Sequence, residues 1–402
     1  MYVNDLTYAR ESVVTVWELV RALVAYLDAA ATTRVAPQVA EVVLHWMRED
    51  FGNAGSRTHE YGARAKKAVA RARESLARTL AARPDELIFT SGATESNNIA
   101  ILGLVPHGEK HNRRHIISSA IEHKAVLEPL EHLEAQGFEI DLIKPGPSGR
   151  VSAAAVRERL RPDTLLVSLM HVNNETGVIQ PVAELAEHLR TTSTFFHVDA
   201  AQGFGKLPDD LRGPIDLISF SGHKVGAPKG VGGLLVRRRG RDTVPLTPLM
   251  YGGGQERKLR PGTLPVPLIM GLSKAVELFE SERDKWLAEA EDFRTRLLAE
   301  LDRTRFHLHG DQDHVIPHII NLSFDGVDAE ALILQLKNSV AIATGSACTS
   351  ASYTPSHVLA AMGLPEAEAS NGLRLSWFPD QANELDIEDF VSTIRDYQAG
   401  VA

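Results

Sequence analysis

From about residue 37 onward, helical periodicity alternates with short apolar runs at Leu87–Thr90, His115–Ser119, Thr164–His171, Thr194–Asp199, Leu217–Ser221 and Gly232–Val236. This alternation predicts an α/β fold, a mainly parallel sheet covered by helices. Most runs end in polar or small residues: Thr90-Ser91-Gly92, Ser118-Ser119, His171-Val172-Asn173-Asn174, Asp199 and Ser221-Gly222-His223-Lys224. Open parallel sheets bind ligands outside the carboxyl ends of their strands, so these tails are expected to converge on one place.

A proline- and glycine-rich connection at 258–267 precedes a long helical pattern over Ile269–Leu301. Beyond it, strands are predicted at Ile316–Phe324, Val340–Thr344 and Leu373–Trp377, and helices at Ala329–Lys337 and Asn383–Tyr397. The expected organisation is a large domain over 36–282, with 26–35 and 283–402 forming a smaller α+β domain. Residues 1–25 are an N-terminal extension. That extension carries Asp5, Glu11 and Glu18 among Val13, Val14, Val16, Trp17 and Leu19, and it has neither a basic start nor a cleavage site. It reads as an amphipathic helix, not a signal peptide.

Composition narrows the function class. The 402 residues are 44% hydrophobic and 24% charged, as in globular chains with a sizeable core. A net charge of −9 without a long basic run offers no footprint for direct nucleic-acid binding. No stretch of about 18 apolar residues is present, so no membrane span is expected. The single cysteine, Cys348, excludes an intramolecular disulfide and a cysteine-rich metal cluster, which fits a reducing, cytoplasmic setting.

Three segments carry candidate chemistry. Thr90-Ser91-Gly92-Ala93-Thr94-Glu95-Ser96 follows a strand and opens a helix, a geometry that binds phosphate, although a simple cap by Thr94 or Ser91 has the same appearance. Asp199 ends one strand, and Lys224 lies 25 residues later, just past the end of another. Pyridoxal phosphate requires this pairing: a lysine to form the Schiff base and a carboxylate to keep the pyridine nitrogen protonated. Cys348 lies in Gly345-Ser346-Ala347-Cys348-Thr349-Ser350-Ala351, small and hydroxyl residues that cannot build a core and read as an exposed loop. A thiol there keeps a few per cent of thiolate at neutral pH and is a candidate nucleophile. His107, His111 and His115, and the set His307, His309, Asp311, Asp313 and His314, read as solvated loop residues, with no metal site expected. Gly252-Gly253-Gly254 lacks the strand and helix of a dinucleotide loop.

Together with Tyr26-Leu27-Asp28-Ala29-Ala30-Ala31-Thr32-Thr33, Gly52-Asn53, His59, Glu122-His123-Lys124, Asn173-Asn174-Glu175, Asp199-Ala200-Ala201-Gln202 and Arg260-Pro261-Gly262-Thr263, the chain resembles the cysteine desulfurases up to Trp377. Its cysteine loop is similar to that of the housekeeping and nitrogen-fixation group. The resemblance implies a fold-type I pyridoxal-phosphate transferase of the aspartate-aminotransferase class, with a seven-stranded sheet. It implies Lys224 as the cofactor lysine, Asp199 at the pyridine nitrogen, Gln202 at the ring's phenolic oxygen and His123 stacked on the ring. Thr94, Ser221 and His223 would hold the phosphate, joined by Thr263 from the second subunit of a homodimer. Asn174 and Arg374 would clamp the substrate carboxylate, a role for which a planar guanidinium is suited.

The implied reaction converts L-cysteine to L-alanine and leaves a persulfide on Cys348. The sulfur then passes to an acceptor protein for iron–sulfur assembly, transfer-RNA thiolation or DNA phosphorothioation, the last favoured by the overall look of the chain. A selenocysteine lyase and an aminotransferase are the alternatives. Two departures stand out: Phe378-Pro379-Asp380 where the family continues with glycine and a basic residue, and Asn53-Ala54-Gly55-Ser56 in place of asparagine-proline-serine-serine.

Overall fold

A computed structural model describes residues 24–345, 355–378, 381 and 383–400. Residues 1–23 of the N-terminal extension, and Cys348, lie outside the described residues. The large sheet contains β1 (Leu87–Thr90), β2 (His115–Ser119), β3 (Glu139–Ile143), β4 (Thr164–Met170), β5 (Phe195–Asp199), β6 (Leu217–Ser221) and β7 (Gly232–Val236). Their order is β1-β7-β6-β5-β4-β2-β3, with β7 antiparallel to both neighbours and the other pairs parallel. The reversal of β7 brings its first residue, Gly232, beside Thr90 and Ser221 at the carboxyl edge.

Most of these strands are buried along their whole length, which explains their mainly apolar sequence, broken by polar residues such as Ser168, His197 and Ser219. Covering helices include α1 (Pro37–Arg48), α2 (Glu60–Thr79), α3 (Ala93–Leu102), α4 (Lys124–Glu134) and α5 (Val182–Leu189). Their buried side chains join the strand residues in two core clusters, such as Leu76, Val198 and Ile218 in one and Ile99, Leu130 and Leu166 in the other. Glycine at 233 is a packing requirement, because a Cβ there would overlap the Phe220 ring. Phe220 in turn stacks on Phe204 at 3.9 Å.

The long helix α6 (Val266–Leu301) packs Ile269, Leu272 and Val276 into the first core and Ala290, Phe293, Leu297 and Leu301 into another. That other core lies against a four-stranded antiparallel sheet of β8 (Phe306–Leu308), β9 (Ile319–Phe324), β10 (Ala343–Thr344) and β11 (Leu373–Ser376), in the order β8-β9-β11-β10. Helices α7 (Ala329–Leu336) and α9 (Ile387–Gln398) contribute Leu332, Phe390 and Ile394 to it, and the short helix α8 (His357–Ala361) packs elsewhere.

One expectation is corrected. The strand expected over Val340–Thr344 is split. Val340–Ala341 pairs with Ala25–Tyr26, whereas Ala343–Thr344 joins β11. The departure at Phe378 is absorbed by packing, its ring lying 5.5 Å from Trp286 and 6.1 Å from Phe279. The departure at Ala54-Gly55 leaves the turn closed, with Asn53 Oδ1 accepting from the Gly55 amide at 2.8 Å.

Candidate active site

The carboxyl ends of the central strands open onto a cavity of about 460 Å³. Lys224, His123, Thr94, Asp199, Gln202, Ser221, His223, Asn174 and Arg374 all line it. Thr263 does not. It is exposed on the connection before α6, whereas Arg260 of the same connection bonds Glu95 Oε1 at 2.8 Å.

Asp199 is placed by the end of β5. Its Oδ2 accepts from Asn97 Nδ2 at 2.7 Å and its Oδ1 from the Ala201 amide at 2.9 Å. Two residues earlier on the same strand, His197 bonds Ser168 Oγ at 2.8 Å and Ser219 Oγ at 2.9 Å. Burial depresses the His197 imidazole to about 4, so it stays neutral at physiological pH. Lys224 follows β6 on a short 3-10 turn, and its Nζ donates to the carbonyls of Ala30 at 2.5 Å and Ala31 at 2.7 Å.

At the opposite wall His123 precedes α4, where its Nδ1 accepts from the Ala125 amide at 3.0 Å. An Nδ1 that accepts from a backbone N–H leaves the ring proton on Nε2. Burial lowers the His123 pKa, partly countered by Asp199 and reinforced by Lys224.

The start of α3 carries no side-chain cap, so its amides are open and the simple-cap reading of Thr94 and Ser91 is corrected. Gly92, at φ 154°, turns the chain there, and a Cβ on it would lie 3.3 Å from Ser221 Oγ. Burial and then Lys224, Lys229 and Lys206 depress His223 to about 4, so the surroundings of this imidazole favour an anion. Gln202 donates through Nε2 to the Ala30 carbonyl at 2.8 Å, while its buried Oε1 has no hydrogen-bond partner. That open acceptor can take a hydrogen bond from a ligand hydroxyl. An open helix start, a cationic surround, an acid at a strand end, a lysine and an unsatisfied amide fit pyridoxal phosphate.

Arg374 comes from β11 and is 1% exposed. Its Nη2 pairs with Asp28 Oδ1 at 2.7 Å, and its Nη1 donates to the Asn174 carbonyl at 3.1 Å.

Matches to known proteins fit this geometry. The family model "Aminotransferase class-V" matches residues 25–390. The cysteine desulfurase IscS of Vibrio cholerae is 45% identical over 92% of this chain and 91% of its own length. The chain is a cysteine desulfurase of the class-V aminotransferase family. Among solved structures, DndA from Streptomyces lividans is 67% identical with a TM-score of 0.78, covering 88% of this chain and 99% of that one. SspA in complex with cysteine is 40% identical, also at a TM-score of 0.78, with the same coverage of 88% and 99%. Desulfurases of this family depend on pyridoxal phosphate, and the desulfurase described here shares that dependence.

Sequence reasoning missed several residues of the desulfurase. Asn97 and Asp28 are the direct partners of two predicted groups, and the Ser96-Asn97-Asn98 run within an apolar helix was the available signal for the first. Lys206 is 1% exposed and bonds His318 Nε2 at 3.0 Å. Burial, with a smaller push from Lys224, lowers its amine to about 7. Glu175 is a further buried acid beside Asn174. The reading of these histidines as solvated loop residues is corrected in part: His115 is buried on β2 and bonds Thr164, His309 is buried against Ser323, and His307 pairs with Asp325; no metal-binding group of three ligands occurs among the described residues. No described helix is long and apolar enough to cross a membrane.

Proposed function

We propose that the cavity residues divide the desulfuration of L-cysteine as follows. Bound pyridoxal phosphate supplies an electron sink for charge developing at the substrate Cα. Asp199 holds the proton on the cofactor's ring nitrogen, and Gln202 faces its phenolic oxygen. Thr94, Ser221, His223 and the α3 amides hold the phosphate. Lys224 would hold the cofactor through its ε-amine, and as a free amine would move the Cα proton. His123 covers the ring and presents its Nε2 proton to the cavity. Arg374 and Asn174 orient the substrate carboxylate. The Cys348 thiolate then attacks the substrate sulfur. The S–S bond forms as the Cβ–S bond breaks, and protonation at Cβ together with return of the proton to Cα gives alanine and leaves a persulfide on Cys348.

The observation that carries this reading is the presence of Asp199, Lys224 and Arg374 on one cavity beside an uncapped helix start. Reconstituted enzyme is expected to be coloured and to release alanine from cysteine. Lys224→Ala should lose turnover by roughly 10³-fold or more. Cys348→Ala should keep the cofactor colour but form no persulfide. Full sulfur transfer by Cys348→Ala would refute its role, and turnover of selenocysteine far above that of cysteine would favour the lyase reading.

We further read the enzyme as a cytoplasmic homodimer in which Thr263 serves the partner's phosphate site. Support comes from the exposure of Thr263 and of Leu44, Met47, Phe51, Tyr61 and Tyr251, a set of apolar side chains of the kind a subunit covers. The separate cores at the two ends of α6 support a large domain over 36–282 and a smaller one from 26–35 and 283–402. For the fate of the sulfur, delivery to an acceptor protein of the DNA-phosphorothioation branch is favoured over iron–sulfur assembly or transfer-RNA thiolation. Its support is 67% identity to DndA against 45% to IscS.

A further inference from the structure

A carboxyl group inside a fold is costly unless it is bonded, and an apolar residue of similar size would fill the same space at lower cost. Glu175 is 2% exposed and has no part in the chemistry assigned above. Its backbone is fixed by Asn173, whose Oδ1 accepts from the amides of Glu175 and Thr176, each at 2.9 Å. Asn173 Nδ2 donates in turn to the carbonyl of Ile121 at 3.1 Å, two residues before His123.

The Glu175 side chain meets two distant parts of the chain. Its Oε2 accepts from Ser356 Oγ at 2.5 Å, and the same hydroxyl accepts from the Leu359 amide at 3.1 Å at the start of α8. On its other side lies Gly345, where a Cβ would overlap Oε2, so the main chain passes directly against the carboxylate. Gly345 and Ser356 flank the stretch of sequence that holds Cys348. The neighbouring residue, Asn174, offers its carbonyl to Arg374, and His357 bonds the Glu122 carbonyl at 2.9 Å. Burial raises the pKa of the Glu175 carboxyl, while Ser356, His357 and Arg374 draw it down.

We propose that Glu175 is a positioning residue of the desulfuration: its buried carboxyl clamps Gly345 and Ser356, on either side of the nucleophile's segment, to the turn that carries Asn174 and supports Arg374. This rests on the assignment of Cys348 and Arg374 made above. Misplacement of a reacting group by about 1 Å costs on the order of 10²-fold in rate, so one carboxyl joining these segments is sufficient to affect the sulfur-transfer step.

The test uses the pyridoxal-phosphate holoenzyme and three variants, Glu175→Ala, Glu175→Gln and Ser356→Ala. Cofactor absorbance, the spectral change on adding L-cysteine, KM for L-cysteine and the rate of persulfide formation are followed separately. Glu175→Ala is expected to slow persulfide formation by roughly 10- to 100-fold, with the spectral response to cysteine retained and KM within about threefold. Glu175→Gln keeps an oxygen for the Ser356 hydroxyl and should recover to within about threefold of the parent, and Ser356→Ala should lose about threefold to tenfold.

Persulfide formation at the parental rate in Glu175→Ala overturns the proposal, as does parallel loss of the spectral response and of turnover. If Glu175→Ala does not fold, the same two criteria applied to Ser356→Ala decide it. Failure of the underlying reading looks different, because the parent enzyme would then make no persulfide or Cys348→Ala would make it.

Discussion

The two ends of the cavity are built by different means. At the cofactor end, Asp199, Ser221 and Lys224 lie on or just beyond adjacent strands of one sheet, where His197, two residues before Asp199, is held by Ser168 and Ser219 of that same sheet. At the carboxylate end, Arg374 comes from the second sheet, Asp28 from a segment 346 residues away, and Asn174 from a loop after β4. The first end inherits its geometry from strand register, and the second exists only once remote segments have docked. Substitutions at the first should therefore act on cofactor retention, and those at the second on substrate affinity.

The largest expected effect is at the first end. Asp199→Ala removes the acid and leaves the Asn97 amide without its partner. Activity should fall by about 10³-fold, with cofactor lost on dialysis, as absorbance of the retained fraction will show. An Asp199→Ala enzyme that keeps its colour and merely gains KM would break the comparison. Asp28→Ala should do the opposite. Arg374 stays buried with its Asp28 pairing lost, KM for cysteine rises about tenfold or more, and bound cofactor is unchanged.

A smaller effect concerns pH. His197 and His223 are depressed to about 4 in the fold, against an ordinary value near 6.5. Between those limits the unfolded chain takes up protons that the folded apoprotein refuses. Apoprotein stability should thus fall as pH drops from about 6.5 towards 4, and these two groups should contribute no slope above about 6.5. Inorganic phosphate should flatten part of this fall by favouring the charged form of His223 while leaving His197 alone. Thermal melts across the range, with and without phosphate, will separate the two; a shift in Tm of a few degrees is expected.

The contrast between the ends also governs what was legible in the sequence. Four strand ranges, Leu87–Thr90, His115–Ser119, Leu217–Ser221 and Gly232–Val236, coincide with the observed strands, because strands buried on both faces lack the strict polar–apolar alternation and stand out as apolar-rich segments with polar or small ends. The edge strand β3 left no such run, since Glu139, Ile140, Asp141 and Leu142 face partly or fully to solvent. The Val340–Thr344 run is apolar up to Thr344, and nothing local announces that its halves join different sheets. Asp199 and Lys224 announced themselves through spacing. Asp28, Asn97 and Glu175 act through partners distant in the chain, pairings that no local pattern of residues displays.

Lys206 illustrates a last point. Its amine, held at about 7 beside His318, is less basic than a surface lysine and so holds more of its unprotonated, nucleophilic form at neutral pH. By basicity alone it would compete for any aldehyde entering the molecule. Sealed among Trp286 and His318 at 1% exposure, it never meets one. Selectivity between two lysines of one protein is here a matter of admission, with reactivity spent where no reagent arrives.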